Sequence, residues 1–304
     1  MTEHSTLQSP PGPPRRLIVN ADDLGLSKGV NRGVLEAAQR GVVSSSTVMV
    51  NMPDAEAGVR LIQENAPHVG LGLHFNLSYG RPLLDPADVP SLVRSDGGFV
   101  SVSRGLASSR RWQPGEVSAE LNAQFERFVQ LVGTLPDHLD SHQMIGSLSP
   151  VCREVMLDLA HRHGLPMRQG GRAAFRGLER EVARRLYLTN PWVPPLLGSF
   201  PWRRFDHVYD RTTLEPDFFE MGFLGSTATA ETLLRILEGL PGGVTELVCH
   251  PGYLDEAADG YRGREAELVA LTDERVVQKV RAEGVELVTF AVLSTSNSSA
   301  RRDK

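Results

Sequence analysis

An α/β fold, in the form of a distorted or incomplete TIM-like (β/α) barrel, is what this sequence predicts, and three observations carry the prediction. Apolar strand-like runs alternate with amphipathic helical stretches along most of the chain, the pattern of a parallel sheet covered by helices. Polar residues capable of chemistry sit at the C-terminal ends of at least four different strands, the end at which such barrels build their sites. Only six or seven strands are distinct, fewer than the eight of a complete barrel. An open doubly wound sheet would bring fewer strand ends to one point.

The elements follow in order. Leu17, Ile18 and Val19 mark a buried strand over 16–20. Ser27 caps a helix over 28–40, whose Val30, Val34, Leu35 and Ala38 share a face, and Gly41 ends it. A strand over 45–51 closes at Pro53, a helix over 54–65 stops at Pro67, and a third strand runs over 69–75. Residues 78–113 break the alternation with Pro, Gly and Ser, including a turn at Asp96-Gly97-Gly98. Pro114 opens an amphipathic helix that runs to 132. A short strand over 137–141, a helix from Ser149-Pro150 to Gly164 and a strand-like run over 166–169 come next.

From 170 to 226 the pattern is irregular. Basic helical turns around 176–187 lead into Pro191, Pro194, Pro195 and Pro201, interleaved with Trp192, Phe200, Trp202 and Phe205. A stretch this long reads as a lid or substrate insertion within a single domain. Regularity returns with a helix over 229–240, a strand over 245–249, a helix over 265–283 and a last strand over 286–290. The domain is expected over 16–292, between disordered segments at 1–15 and 293–304 that carry little apolar surface.

Bulk properties narrow the function. With 304 residues, 40% hydrophobic and 23% charged, the chain has the composition of an ordinary globular protein. A net charge of -5 gives no electrostatic case for nucleic acid or an anionic membrane. No apolar run approaches the roughly 18 residues of a membrane span, and residues 1–15 lack the apolar core of a secretory signal. Cys152 and Cys249 give no disulfide framework and read as buried apolar residues. The cytoplasm is the expected compartment, and a homodimer is the default assembly.

The chemistry concentrates in Asn20-Ala-Asp22-Asp23-Leu-Gly25. Two adjacent carboxylates after a buried strand repel each other and each needs a partner. A divalent cation resolves the conflict, as does a division into one ligand and one base. His74, His142 and His250 each end or closely follow a strand-like run. Two imidazoles and one carboxylate suffice for a catalytic cation with open positions. The other carboxylate is then free to act as base on a water whose pKa the cation lowers. Asp140, two residues before His142 on a strand, faces the same side and is a candidate to support a ligand. His250, before Pro251-Gly252, is a candidate acid for a leaving amine. Trp202 is a candidate to stack on a sugar face. Each feature alone also has a plain structural reading, as a helix-capping Asp pair, a core histidine, a turn or local packing. Their combination at four strand ends favours chemistry. There is no phosphate loop, nucleotide fingerprint, serine-hydrolase elbow or paired-cysteine zinc site.

At these residues the chain resembles the YdjC-like carbohydrate deacetylases, the family of chitooligosaccharide deacetylases and hopanoid-associated relatives. The carrying motifs are Leu-Ile-Val-Asn-Ala-Asp22-Asp23-Leu-Gly-Leu-Ser, Gly-Leu-His74-Phe-Asn76-Leu, His-Leu-Asp140-Ser-His142-Gln and Cys-His250-Pro-Gly-Tyr, followed by Arg264-Glu265. The likeness runs from about residue 16 to 290 and departs at Met144, where many relatives carry a further histidine. The resemblance implies a distorted barrel and a hydrolase acting on a linear amide C–N bond. Such an enzyme removes an N-acetyl group from an amino sugar, oligosaccharide or glycoconjugate by attack of metal-activated water. It implies one divalent cation, Mg2+ or Zn2+, held by Asp23, His74 and His142, with Asp22 as base and His250 as acid. Asp140, Asn76, Arg264 and Trp202 are then supporting or substrate-binding candidates. The competing readings are a metal-dependent phosphoesterase or amidohydrolase on a similar barrel, and a sugar-binding protein with a structural metal.

Overall fold

Strand β1 (Arg15–Leu24) lies inside the sheet and organises the fold. The computed structural model describes residues 13–100, 112–168, 214–255 and 260–294. After β1 come α1 (Lys28–Arg40), β2 (Ser45–Val48), α2 (Ala55–Asn65) and β3 (Gly70–Phe75). Next are α3 (Pro114–Val132), β4 (Leu139–Ser141), the short α4 (Ile145–Leu148) and α5 (Pro150–His163). Then follow β5 (Phe218–Glu220), α6 (Ala230–Glu238), β6 (Gly243–Cys249), α7 (Arg264–Leu271), α8 (Glu274–Ala282) and β7 (Glu286–Leu287).

The strands run in the order β4-β3-β2-β1-β6-β5, all pairs parallel, and β7 joins β1 at Arg16 and Leu17. Parallel bridges at Leu139–Met167 and Pro166–Leu214 carry the sheet on past β4. The result is a half-barrel with helices outside, the α/β distorted barrel that the alternation predicted.

Strand alternation gives the sheet two different faces. Leu17, Val19 and Ala21 of β1 join Val30, Val34, Leu233, Leu237 and Leu247 in the main apolar core under the helices. Ile18 faces inward and packs with Val244 and Phe290 in a separate small cluster. The ring of buried His138 stacks on Phe290 with centroids 3.7 Å apart. Gly72 of β3 makes room for that ring, since a Cβ there would overlap it.

Several predicted boundaries move: the strand expected over 45–51 ends at Val48 and the one over 286–290 ends at Leu287. The first strand extends to Leu24 and includes both aspartates, because β6 pairs with β1 through Ala21 and β2 pairs again at Leu24. The last long helix is two, α7 and α8, because Asp273 caps a new start by accepting from the Arg275 N–H at 2.8 Å. The described end of the irregular segment supplies β5, which pairs with β6. The helical turns around 176–187 and Trp202 lie outside the described residues.

Candidate active site

The separation of the Asp pair begins in the backbone. Ala21 pairs with Ser46 and Leu24 with Val48, so β1 carries one more residue than β2 across this interval. That extra residue is a bulge, and Asp23 within it takes φ 73°. On a regular strand, neighbours point to opposite faces. The bulge lets both carboxylates turn toward the barrel interior, each to its own partners. The turn continues through Gly25, at φ 97°, whose N–H donates to Asn31 Oδ1 at 2.7 Å.

Asp23 sits among imidazoles. Its Oδ1 is 3.2 Å from His74 Nε2 and 3.0 Å from His142 Nδ1, while Arg264 donates to Oδ2 at 2.8 Å. Burial works against the charged carboxylate, but Arg264 and then His142 outweigh it and hold the carboxyl well below its ordinary range. His74 comes from β3 and His142 from the turn after β4, so three strand ends meet here. Each of Asp23, His74 and His142 offers a ligand atom within 4.8 Å of the others, and all three are buried. His142 Nε2 is buried with no hydrogen-bond partner. One carboxylate and two imidazoles, one of them with an unspent buried nitrogen, fit a divalent cation.

His74 is fixed from behind. Its Nδ1 lies 2.6 Å from Asp140 Oδ1, and Thr47 Oγ1 lies 3.1 Å from both Asp140 Oδ2 and His74 Nδ1. Burial opposes the imidazolium, but the charges of Asp140 and Asp22 push its pKa up to about 10. A carboxylate behind a ligand imidazole sets its tautomer and ring plane.

Asp22 belongs to a different network. Arg168 grips both its oxygens, NH2 to Oδ1 at 2.7 Å and NH1 to Oδ2 at 2.8 Å. Asn20 Nδ2 donates to Oδ1 at 2.8 Å. The same guanidinium reaches Asp140 Oδ2 at 2.9 Å and Glu246 Oε1 at 2.6 Å. Burial would raise the Asp22 pKa, yet Arg168 and then His74 hold it well below the usual carboxylate range. Asp22 therefore stays ionised and fixed in orientation.

His250 follows β6. Its Nε2 is 3.8 Å from Asp22 Oδ2 and its Nδ1 is 3.7 Å from Glu267 Oε2. Glu267 also accepts from the His250 backbone N–H and from the Tyr261 hydroxyl. Burial would lower the His250 pKa, but the Glu267 carboxylate and the Asp22 charge raise it. Its side chain keeps 17% exposure, against 4% or less for His74 and His142. It is thus the most exposed of the three imidazoles. Gly33 of α1 admits the backbone of Gly252 closely, which seats the loop after His250.

Asp22, Asp23, His74, Asp140, His142, His250 and Arg264 thus converge. Asn76 does not enter the cluster. Its Oδ1 accepts from the Ser78 and Tyr79 N–H groups at 3.0 Å each, and its amide donates to Tyr79 O at 2.7 Å. It shapes the turn that sets the Tyr79 ring 6.2 Å from that of His142. Sequence reasoning missed Thr47, Arg168, Glu246 and Glu267. Two left a signal, Arg168 as a cation within the strand-like run over 166–169 and Glu246 as a lone charge in the strand over 245–249; Thr47 and Glu267 look like ordinary strand and helix residues.

Comparisons with known proteins place the chain in one family. The family model of YdjC-like proteins matches residues 16–282. The chain is 37% identical over 282 residues to a carbohydrate deacetylase of Geobacillus stearothermophilus, covering 91% of this chain and 97% of that one. It is 31% identical over 280 residues to a chitooligosaccharide deacetylase of Proteus mirabilis, covering 90% and 97%. Among solved structures it is similar to a putative cellobiose-phosphate cleavage protein of Enterococcus faecalis V583, with TM-score 0.73, 27% identity and coverage of 92% and 99%.

Proposed function

The chain belongs to the YdjC-like proteins, and from that premise we propose that it is a carbohydrate N-deacetylase that uses one divalent cation to hydrolyse the N-acetyl group of an amino sugar. The carbohydrate deacetylases among its relatives support the reaction class. The observation that carries the mechanism is the bulge that sends Asp22 and Asp23 to different partners.

Asp23, His74 and His142 would hold the cation, either Mg2+ or Zn2+. Bound there, it would polarise the amide carbonyl and lower the pKa of a water. Asp22, ionised and held by Arg168, takes a proton from the attacking water. The Arg168 grip lowers its basicity and in exchange fixes the angle at which the proton is received. His250 delivers a proton to the departing amine. Its 3.8 Å distance from Asp22 is longer than a hydrogen bond, so that proton is not spent within the protein. The Glu267 carboxylate, 3.7 Å from Nδ1 on the far side, favours the charged ring. Acetate and the free sugar amine leave.

A two-cation amidohydrolase or phosphoesterase is the competing reading, since Asp22, His74 and Asp140 form a second group with ligand spacing. Arg168 speaks for the single cation, because its guanidinium already contacts both Asp22 and Asp140. No described helix is long and apolar enough to cross a membrane, which is compatible with work in the cytoplasm on a small acetylated sugar.

The test is acetate release from N-acetylated chitooligosaccharides before and after complete chelation, with cation content measured per chain. Activity that survives removal of the cation would sink the mechanism. Asp22→Asn separates catalysis from structure. Turnover should fall by about 10²-fold or more, in line with loss of a general base, while the cation is retained. Loss of the fold instead would favour a sugar-binding protein with a structural metal.

A further inference from the structure

Among the described residues only three besides glycine have positive φ, and all three lie at the candidate cation site: Asp23, Gln143 and Met144. Gln143 (φ 52°, ψ 31°) and Met144 (φ 55°, ψ 28°) are consecutive and directly follow His142. The left-handed region crowds Cβ against the backbone and suits glycine. Two adjacent residues with long side chains there are a strained way to turn a chain, and strain of this sort persists only where the surroundings over-determine it.

The surroundings do so. Upstream, β4 is locked to β3 by the pairs His74–Asp140 and Phe75–Ser141. Downstream, the Ile145 N–H donates to His142 O, and the Gly146 N–H donates to Ser141 Oγ at 2.8 Å. Between these anchors the chain must reverse within two residues for the His142 ring to return to Asp23, 3.0 Å away. A second, independent sign of local conflict is Gln143 Oε1, buried with no hydrogen-bond partner. Glycine at either position would relieve the backbone, but it would also free the turn to sample other paths.

We propose that Gln143 and Met144 are positioning residues, which hold His142 in place for the cation by a strained left-handed turn at the expense of fold stability. The inference rests on the cation reading above, and it assigns no contact between these side chains and the cation.

The test compares glycine with alanine at each position, because both remove the side chain and only glycine tolerates the left-handed backbone. Gln143→Gly, Gln143→Ala, Met144→Gly and Met144→Ala are made in the full chain. Each is melted free of cation and titrated with Zn2+ by calorimetry. At an ordinary position alanine is the more stable of the two; here the glycine variant should melt higher than its alanine partner, by roughly 1–3 °C for a chain of this size. The glycine variants should also bind Zn2+ about 5-fold more weakly than the alanine variants, the consequence of a ligand no longer held in its productive geometry. This opposition of signs is what a merely structural turn would not give, since there stability and affinity fall together. Alanine variants that melt at or above their glycine partners would overturn the proposal, as would glycine variants that bind Zn2+ as tightly as the alanine ones. Wild-type protein that takes up neither Zn2+ nor Mg2+ would instead overturn the cation reading beneath it.

Discussion

Along β1, Leu17, Val19 and Ala21 turn toward the helices, while Asn20 and Asp22 turn into the half-barrel. Both faces are buried: Val19 is 1% exposed and Asn20 0%. The outer face is held by non-directional burial of apolar area. The inner face is a lattice of charge in which Asp22, Asp140 and Glu246 share Arg168, and Asp23 shares His74, His142 and Arg264. The outer face tolerates changes of shape in proportion to the volume removed. The inner face cannot lose a single charge without leaving its partner buried and unpaired. Rigidity of that kind suits a site whose groups must be held in fixed orientation before a substrate arrives.

The largest expected effect therefore comes from Arg168. Arg168→Met uncovers three buried carboxylates at once, and unfolding by urea should show a loss of about 3–5 kcal/mol, the range for breaking a buried ion pair from one side. Acetate release should fall with it, because Asp22 loses both Arg168 bonds and keeps only the amide of Asn20 and a longer contact from Thr47 to orient its carboxylate. A loss below about 1 kcal/mol, within the range of exposed pairs, would show that the inner face is not held by this guanidinium.

The outer face gives the contrasting result. Leu247→Ala removes a side chain that is 1% exposed, between the sheet and α6 and α8. The expected cost is about 2–4 kcal/mol by the cavity rule. Here acetate release per folded molecule should stay within about twofold, since surviving folded enzyme keeps its inner lattice and distant sites act nearly independently. A collapse of turnover in folded protein would break the separation of the two faces.

Glu246 sharpens the comparison through pH. Burial outweighs the help of Arg168 and pushes its pKa up from 4.5 to about 7, and its Oε2 has no hydrogen-bond partner. Between those pH values the folded chain holds a proton that the unfolded chain has released. The stability this group contributes is thus present below pH 4.5 and is lost as pH rises through 7. Melting curves at pH 4.5 and 7.5 should show the wild type losing roughly 1–3 kcal/mol relative to Glu246→Gln by this linkage. Parallel pH profiles for the two proteins would remove Glu246 from the account.

How much of this was legible in the sequence follows the same division. The buried strand and the helix face against it were readable, because Leu17, Ile18 and Val19 form an apolar run and Val30 and Val34 repeat with the period of a helix. The carboxylates and imidazoles at strand ends were readable too, as residue types with few other reasons to stand there. What binds them together was not. Thr47 reads as one more β-branched strand residue, and Glu246 as one charge in an otherwise apolar strand, because their roles depend on neighbours that are distant in the chain. Arg168 is 146 residues from the Asp22 it holds. The bulge at Asp23 arises from a mismatch between two strands, and one strand's sequence does not carry it. Pattern reasoning ended the first strand before the carboxylates for that reason.

The smallest expected effect uses the same chemistry in another setting. Arg16 Nε meets Glu286 Oε2 at 3.0 Å, a distance like those around Arg168, but with side chains 34% and 55% exposed. Neither charge has given up its water, so the pair gains little by forming and its removal leaves nothing stranded. Arg16→Ala should lower stability by no more than about 0.5 kcal/mol, and 0.5 M salt should erase even that, since screening at such ionic strength reaches within a few ångströms. The measurement is urea unfolding at low and high salt, beside Arg168→Met under the same conditions. The buried network should be nearly indifferent to salt. Equal salt sensitivity in the two variants would mean that water reaches the inner lattice, and the distinction between the faces would then rest on shape alone.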